Sequence, residues 1–120
     1  MTIDLSEYRN QFINAAKLQD ESIKRGDSKT ANRQYDILTE IFIKAQKDPI
    51  GAKEFYRNLR EENDANVKEA ACAHSLALGL DIAEAETILA ALARDETIGI
   101  TALNAEMTLK VWKKQGYLKF

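Results

Sequence analysis

Apolar residues recur along this chain with the spacing of a helical face in six successive stretches, each opened or closed by a recognisable capping signal. In the first, Leu5, Tyr8, Phe12, Ala16 and Ile23 fall on one stripe. Asp4 and Glu7 have the capping-box spacing, in which each side chain satisfies a backbone N–H of the opening turn. Gly26 can take the left-handed conformation that ends such a helix near residue 25. Asp27 then caps a second helix over 28–46, with Tyr35, Leu38, Phe42 and Ala45 turned toward a neighbour. Asp48-Pro49 restarts the chain, because proline at the first helical position gives up no intrahelical bond. The third helix, 49–61, is expected to turn Ile50, Phe55 and Leu59 inward.

The fourth stretch, 64–79, differs in kind. Beyond Glu69 it carries apolar or small residues nearly all round, so it belongs in the middle of a bundle or stack. Ala70, Ala71, Ala73 and Ala77 allow neighbours to approach closely, and Gly79 supplies the stop. Asp81 and Glu84 repeat the capping-box spacing and open a fifth helix with Ala85, Ile88, Leu89 and Leu92 on one side. The sixth starts near Thr101, presents Ala102, Ala105, Leu109 and Trp112, and ends at Gly116. Residues 97–101 alternate like a strand, but the run is short, contains Gly99 and has no partner, so it reads as a loop.

The predicted class is all-α: about six helices forming three antiparallel hairpins, at 4–46, 49–79 and 81–116, within one domain spanning 1–120. One hairpin per roughly 35–40 residues is near the period of stacked helical repeats, each of which buries its face only against its neighbours. A closed, irregular helical bundle is the alternative.

Composition narrows the chemistry. With one proline and five glycines in 120 residues, a many-stranded sandwich or barrel has too few turn residues. Cys72 and His74 are the only residues of their types, which excludes an intrachain disulfide and a site of several His or Cys ligands. No stretch approaches the ~18 apolar residues of a membrane span, and the acidic start lacks the regions of a signal peptide. A cytoplasmic setting away from membranes is expected. No phosphate loop, nucleophile elbow or paired-His motif is present, so no cofactor is expected and the chain reads as non-enzymatic.

Charge is uneven although the net value is only -2. Residues 61–108 hold 2 Lys+Arg against 10 Asp+Glu, while 109–120 hold 4 against none. An acidic belt of this kind repels nucleic acid and complements a basic protein. The four terminal lysines lack interleaved arginines and aromatics and make a poor nucleic-acid footprint.

Each candidate residue also has a packing explanation. His74 shares a face with Val67, Ala71 and Leu78, which points to a hydrogen-bonded core or boundary histidine. Cys72 lies about 200° round the helix from it, so the two form no dyad, and a buried thiol is expected. Glu106 has Lys110 at i+4 as an ordinary exposed partner. Trp112 fits the core, whereas Tyr56 and Tyr117 belong to no stripe and could anchor a partner.

Asp64, Val67-Lys68, Ala70-Ala71 and Leu78-Gly79 resemble the second helix of a HEAT repeat. The segment Ala85-Glu-Thr-Ile-Leu-Ala-Ala-Leu, followed by Ala102-Leu-Asn-Ala-Glu-Met-Thr-Leu-Lys-Val-Trp-Lys-Lys-Gln-Gly116, resembles a small bacterial HEAT-like family, domain of unknown function two thousand nineteen. That resemblance spans about residues 27–118 and implies a HEAT-like α-solenoid fragment with no catalytic residues. It also makes a toxin-neutralising role conceivable. The expected function is a protein-protein interaction module for a basic partner, contacted through Glu61, Glu62, Asp64, Lys68, Glu69 and Glu106. Self-association through an apolar patch, and a small enzyme built on a His74 or carboxylate cleft, are the other readings.

Overall fold

Short acidic caps define where the helices begin. In the computed structural model, which describes residues 4–120, Asp27 accepts the Thr30 N–H and Asp48 the Gly51 N–H, each at 3.1 Å. Asp64 accepts both the Asn66 and Val67 N–H groups. The six helices that result are α1 (Arg9–Lys24), α2 (Ser28–Gln46), α3 (Pro49–Arg60), α4 (Ala65–Leu78), α5 (Ile82–Ala93) and α6 (Ile100–Gln115). There is no strand among the described residues, and the chain is all-α. Residues 97–101, expected as a loop, hold the end of a 3-10 turn (Glu96–Ile98), Gly99 and the first two residues of α6.

Two capping boxes do not form. Asp4 bonds the Ser6 amide two residues on, and the chain opens as a 3-10 turn, Leu5–Tyr8, before α1 begins. Asp81 makes no cap bond and adopts a left-handed φ of 47°. Its carboxylate instead receives Arg60 Nη2 at 2.6 Å, while Glu84 stands 3.6 Å from Arg60 Nε. A charge-assisted bond to a guanidinium is about twice as strong as a neutral one, so the tertiary partner outcompetes the local cap.

α4 holds the molecule together because its sides serve different neighbours. Val67 and Ala71 enter a first core with Phe12, Leu38, Phe55, Tyr56 and Leu59 from α1, α2 and α3. Cys72 and Leu76, about 100° and more round the same helix, enter a second core with Ala85, Leu89, Leu92, Ala105 and Leu109 from α5 and α6. Trp112 packs at the edge of that second core. Each fully buried Leu or Phe contributes roughly 1.5–3 kcal/mol. A helix serving two cores cannot afford a continuous polar face, and this explains the alanine-rich composition of 70–77.

Four expectations about side-chain placement change. Tyr35, expected inward, is 42% exposed, whereas Leu38, Phe42 and Ala45 of the same expected stripe are buried, together with Ala31, Gln34 and Ile41. Ile50 is 88% exposed rather than inward, because it sits on the first turn of α3 before that helix meets α4. Tyr56, expected uncommitted, is fully buried between Phe12 and Phe55, with ring centroids 5.9 and 5.1 Å away. Ile23, at the end of the α1 stripe, is also exposed.

Candidate functional site

Among the described residues no helix covers the third side of α4. Asn66, Glu69, Ala70 and Ala73 recur there at i, i+3, i+4 and i+7, and the two alanines are too short to fill the space between α1 and α6. The result is a cleft of about 650 Å³ with α4 as its floor. One wall is α1 and α2, through Gln19, Asp20, Ile23, Tyr35 and Thr39. The opposite wall is α6, through Asn104, Met107, Thr108 and Val111. The chain after α6 folds back to close one end, placing Tyr117 and Phe120 on the lining.

His74 lies where the first core meets that closed end. Its ring touches Phe12, Phe42 and Phe120, with centroids 5.5, 5.1 and 4.7 Å away. Tyr56 Oη stands 3.0 Å from His74 Nδ1. The two side chains share one buried hydrogen bond, whose direction follows the imidazole tautomer. Burial pushes the imidazole down to about 3, so the ring is neutral at physiological pH. The expected hydrogen-bonded core histidine is what the fold contains. Tyr56→Phe should cost about 1–2 kcal/mol in chemical denaturation, since it strands a buried Nδ1 without its hydrogen-bond partner.

Glu69 is the unusual group. It is half-buried on the cleft floor, receives the Thr108 hydroxyl at 3.2 Å and has no cation within ion-pair distance among the described residues. Desolvation raises its carboxyl to about 7, an effect the Thr108 hydrogen bond only partly offsets. Asp20, on the facing wall, is tied to Lys24 at 2.9 Å. Lys119 on the returning tail is the one cation among the lining residues, and it is not paired with Glu69.

Of the six residues expected to contact a partner, Glu69 alone lines this cleft. Glu62 pairs with Arg9, and Asp64 is occupied as the α4 cap. Glu61 is exposed at the end of α3. Lys68 lies one residue round α4 from Glu69, outside the cleft lining. Glu106 pairs with Lys110 at 3.2 Å on an exposed side of α6. Glu69 itself is half-buried rather than an exposed polar position.

Sequence reasoning passed over Asp20, Asn104, Thr108 and Tyr35, whose shared feature is position across a gap rather than any local motif. A signal for Glu69 existed: it is the one carboxylate on the alanine side of α4. Tyr117, anticipated as an anchor, is 51% exposed and lines the cleft.

The other reactive candidate falls away. Cys72 points into the second core, and burial pushes its thiol up to about 12, so no thiolate forms near neutral pH. Among the described residues no group of three or more His, Cys, Asp or Glu side chains is placed to hold a metal ion, and no helix is long and apolar enough to cross a membrane. No family model, curated protein or solved structure matches this chain.

Proposed function

We propose that this chain is a non-enzymatic, cytoplasmic binding module whose cleft between α1, α2, α4 and α6 receives a protruding segment of a basic protein partner. The observation that supports it most is Glu69, a half-buried carboxyl on the floor of an open cleft with no cationic partner among the described residues. A group left in that condition weakens the fold at neutral pH, and such costs concentrate at sites kept for function. At about 650 Å³ the space suits a few side chains of a peptide and not a whole helix. The succession of antiparallel hairpins agrees with a HEAT-like recognition module, and a role in neutralising a basic toxin belongs to the same reading.

The test is direct titration of short basic peptides, each with lysine between apolar residues, onto the wild type and Asn104→Trp. Asn104 is an exposed residue of the α6 wall, so the indole fills the cleft without entering a core. Wild-type binding by fluorescence polarisation, reduced at least about tenfold in Asn104→Trp, is the expected result. Equal binding to both proteins places the interface elsewhere and defeats the proposal.

One observation favours a second reading, general acid-base catalysis, because a carboxyl titrating near 7 is suited to proton transfer. Under that reading Glu69→Gln would abolish a turnover reaction instead of weakening binding.

A further inference from the structure

The lining of the cleft narrows the ligand's chemistry. Exposed aromatic rings, Tyr35 from α2 with Tyr117 and Phe120 from the returning tail, line the same space as Glu69. The aliphatic side chains of Ile23, Met107 and Val111 stand at its margins, each more than a third exposed. Aromatic faces attract cations through their quadrupole, and a partly desolvated carboxylate completes such a pocket. Among the described residues this carboxylate has no cation within ion-pair distance, and the one lysine of the lining does not supply it.

We infer that the cleft is a site for a single ammonium group carried on an apolar body, with the cation against Glu69 and the body among Tyr35, Tyr117 and the aliphatic margins. This rests on the binding-module reading and specifies what the module grips. A lysine side chain in a peptide and a free alkylamine present the same chemistry.

Binding exchanges a proton for the ligand's cation. Unliganded Glu69 is about half protonated at pH 7, and an ammonium group binds its ionised form. Few other groups can carry that linkage. On α4 itself His74 stays neutral across the relevant range, and Lys68 lies outside the cleft lining. The facing α1 contributes Asp20, held by Lys24; α2 contributes Tyr35; the tail contributes Tyr117 and Lys119. The α6 wall presents Asn104, Met107, Thr108, Val111 and Gln115, none of which titrates.

The experiment is calorimetric titration of the full chain with n-hexylammonium, n-hexanol, n-hexanoate and a single-lysine peptide with apolar flanks, from pH 6 to 8. Hexylammonium should bind at least about tenfold more tightly than hexanol, with hexanoate weakest. Its affinity should rise about tenfold from pH 6 to pH 8, with about half a proton released per ligand at pH 7. Glu69→Gln should lower affinity about tenfold and remove the pH dependence, while Tyr35→Leu should lower affinity and keep it. A peptide that binds far better than hexylammonium, with the same Glu69 dependence, identifies the lysine side chain as the source.

Equal affinity for hexanol and hexylammonium, or a Glu69→Gln variant that binds like wild type, overturns the assignment. If basic peptides still bind and Asn104→Trp still blocks them, the binding-module reading survives that failure. If neither amines nor peptides bind, both fall.

Discussion

Asp81→Asn is expected to destabilise the fold by about 3–5 kcal/mol, whereas Arg60→Met, which removes the other partner of the same pair, should cost markedly less. The asymmetry follows from which charge is left behind. The Arg60 side chain is 0% exposed, donates to Ser75 Oγ and Asp81 Oδ2 at 2.6 Å each, and has an Nε with no hydrogen-bond partner. A guanidinium cannot deprotonate to escape burial, so without Asp81 its charge rests on Glu84, 3.6 Å away and half exposed. Asp81, at 23% side-chain exposure, can recover water once Arg60 is gone. Methionine also fills the apolar part of the space, and Ser75 keeps its own bond to the Ala71 carbonyl. Asparagine tolerates the left-handed backbone at position 81, so that substitution tests charge rather than strain. Urea denaturation of both variants and of the double variant checks this. The double variant should lie closer to wild type than Asp81→Asn does, and equal losses in the two single variants would refute the argument.

The stability of the wild type against pH should carry the opposing signatures of His74 and Glu69. His74 titrates at about 3 in the fold against about 6.5 when unfolded, so its stabilising effect is full above pH 6.5 and is lost as pH falls toward 3. The whole loss is about 4–5 kcal/mol. Glu69 runs the other way: with its carboxyl at about 7 against 4.5 unfolded, its contribution is full below pH 4.5 and is lost as pH rises through 7. Between about pH 4.5 and 6.5 the folded chain holds a proton on Glu69 and the unfolded chain holds one on His74. The two slopes therefore cancel there.

Glu69→Gln removes one side of that balance. Relative to wild type it should gain about 1–3 kcal/mol between pH 5 and pH 8, a range lowered for the residue's partial exposure. Its stability should also rise with pH from 4.5 to 6.5, where the wild type is flat in this pair of groups. Thermal or urea unfolding across that range measures both. A wild-type minus variant difference that does not change with pH would mean Glu69 titrates as an ordinary solvated carboxylate.

The same pair of groups shows where sequence reading reached and where it stopped. His74 could be placed in the core from its spacing to Val67, Ala71 and Leu78, because helical periodicity is a local property. Its Tyr56 partner could not, since Tyr56 lies eighteen residues earlier and only the packing of α3 on α4 brings the two within 3.0 Å. Asp81 with Glu84 looked like a cap because the local competitor was the only one visible along the chain. The stronger competitor, Arg60, arrives through tertiary contact. Tyr35 illustrates the reverse error: it satisfies a helical stripe whose other members, Leu38, Phe42 and Ala45, are buried, yet its own ring ends on the cleft wall.

Local sequence by itself determined the six helices, most of their caps, the central place of α4 and the all-α class. Periodicity, acidic N-caps and left-handed glycines act within a turn or two, so they can be read without knowing what packs where. Only the tertiary structure decided that, among the described residues, the third side of α4 would form the floor of a cleft between α1 and α6, with Glu69 half-buried there and unpaired with any described cation. That outcome depends on how far apart helices from different hairpins come to rest, a distance set by side-chain volumes summed across two cores and written in no single segment of the chain.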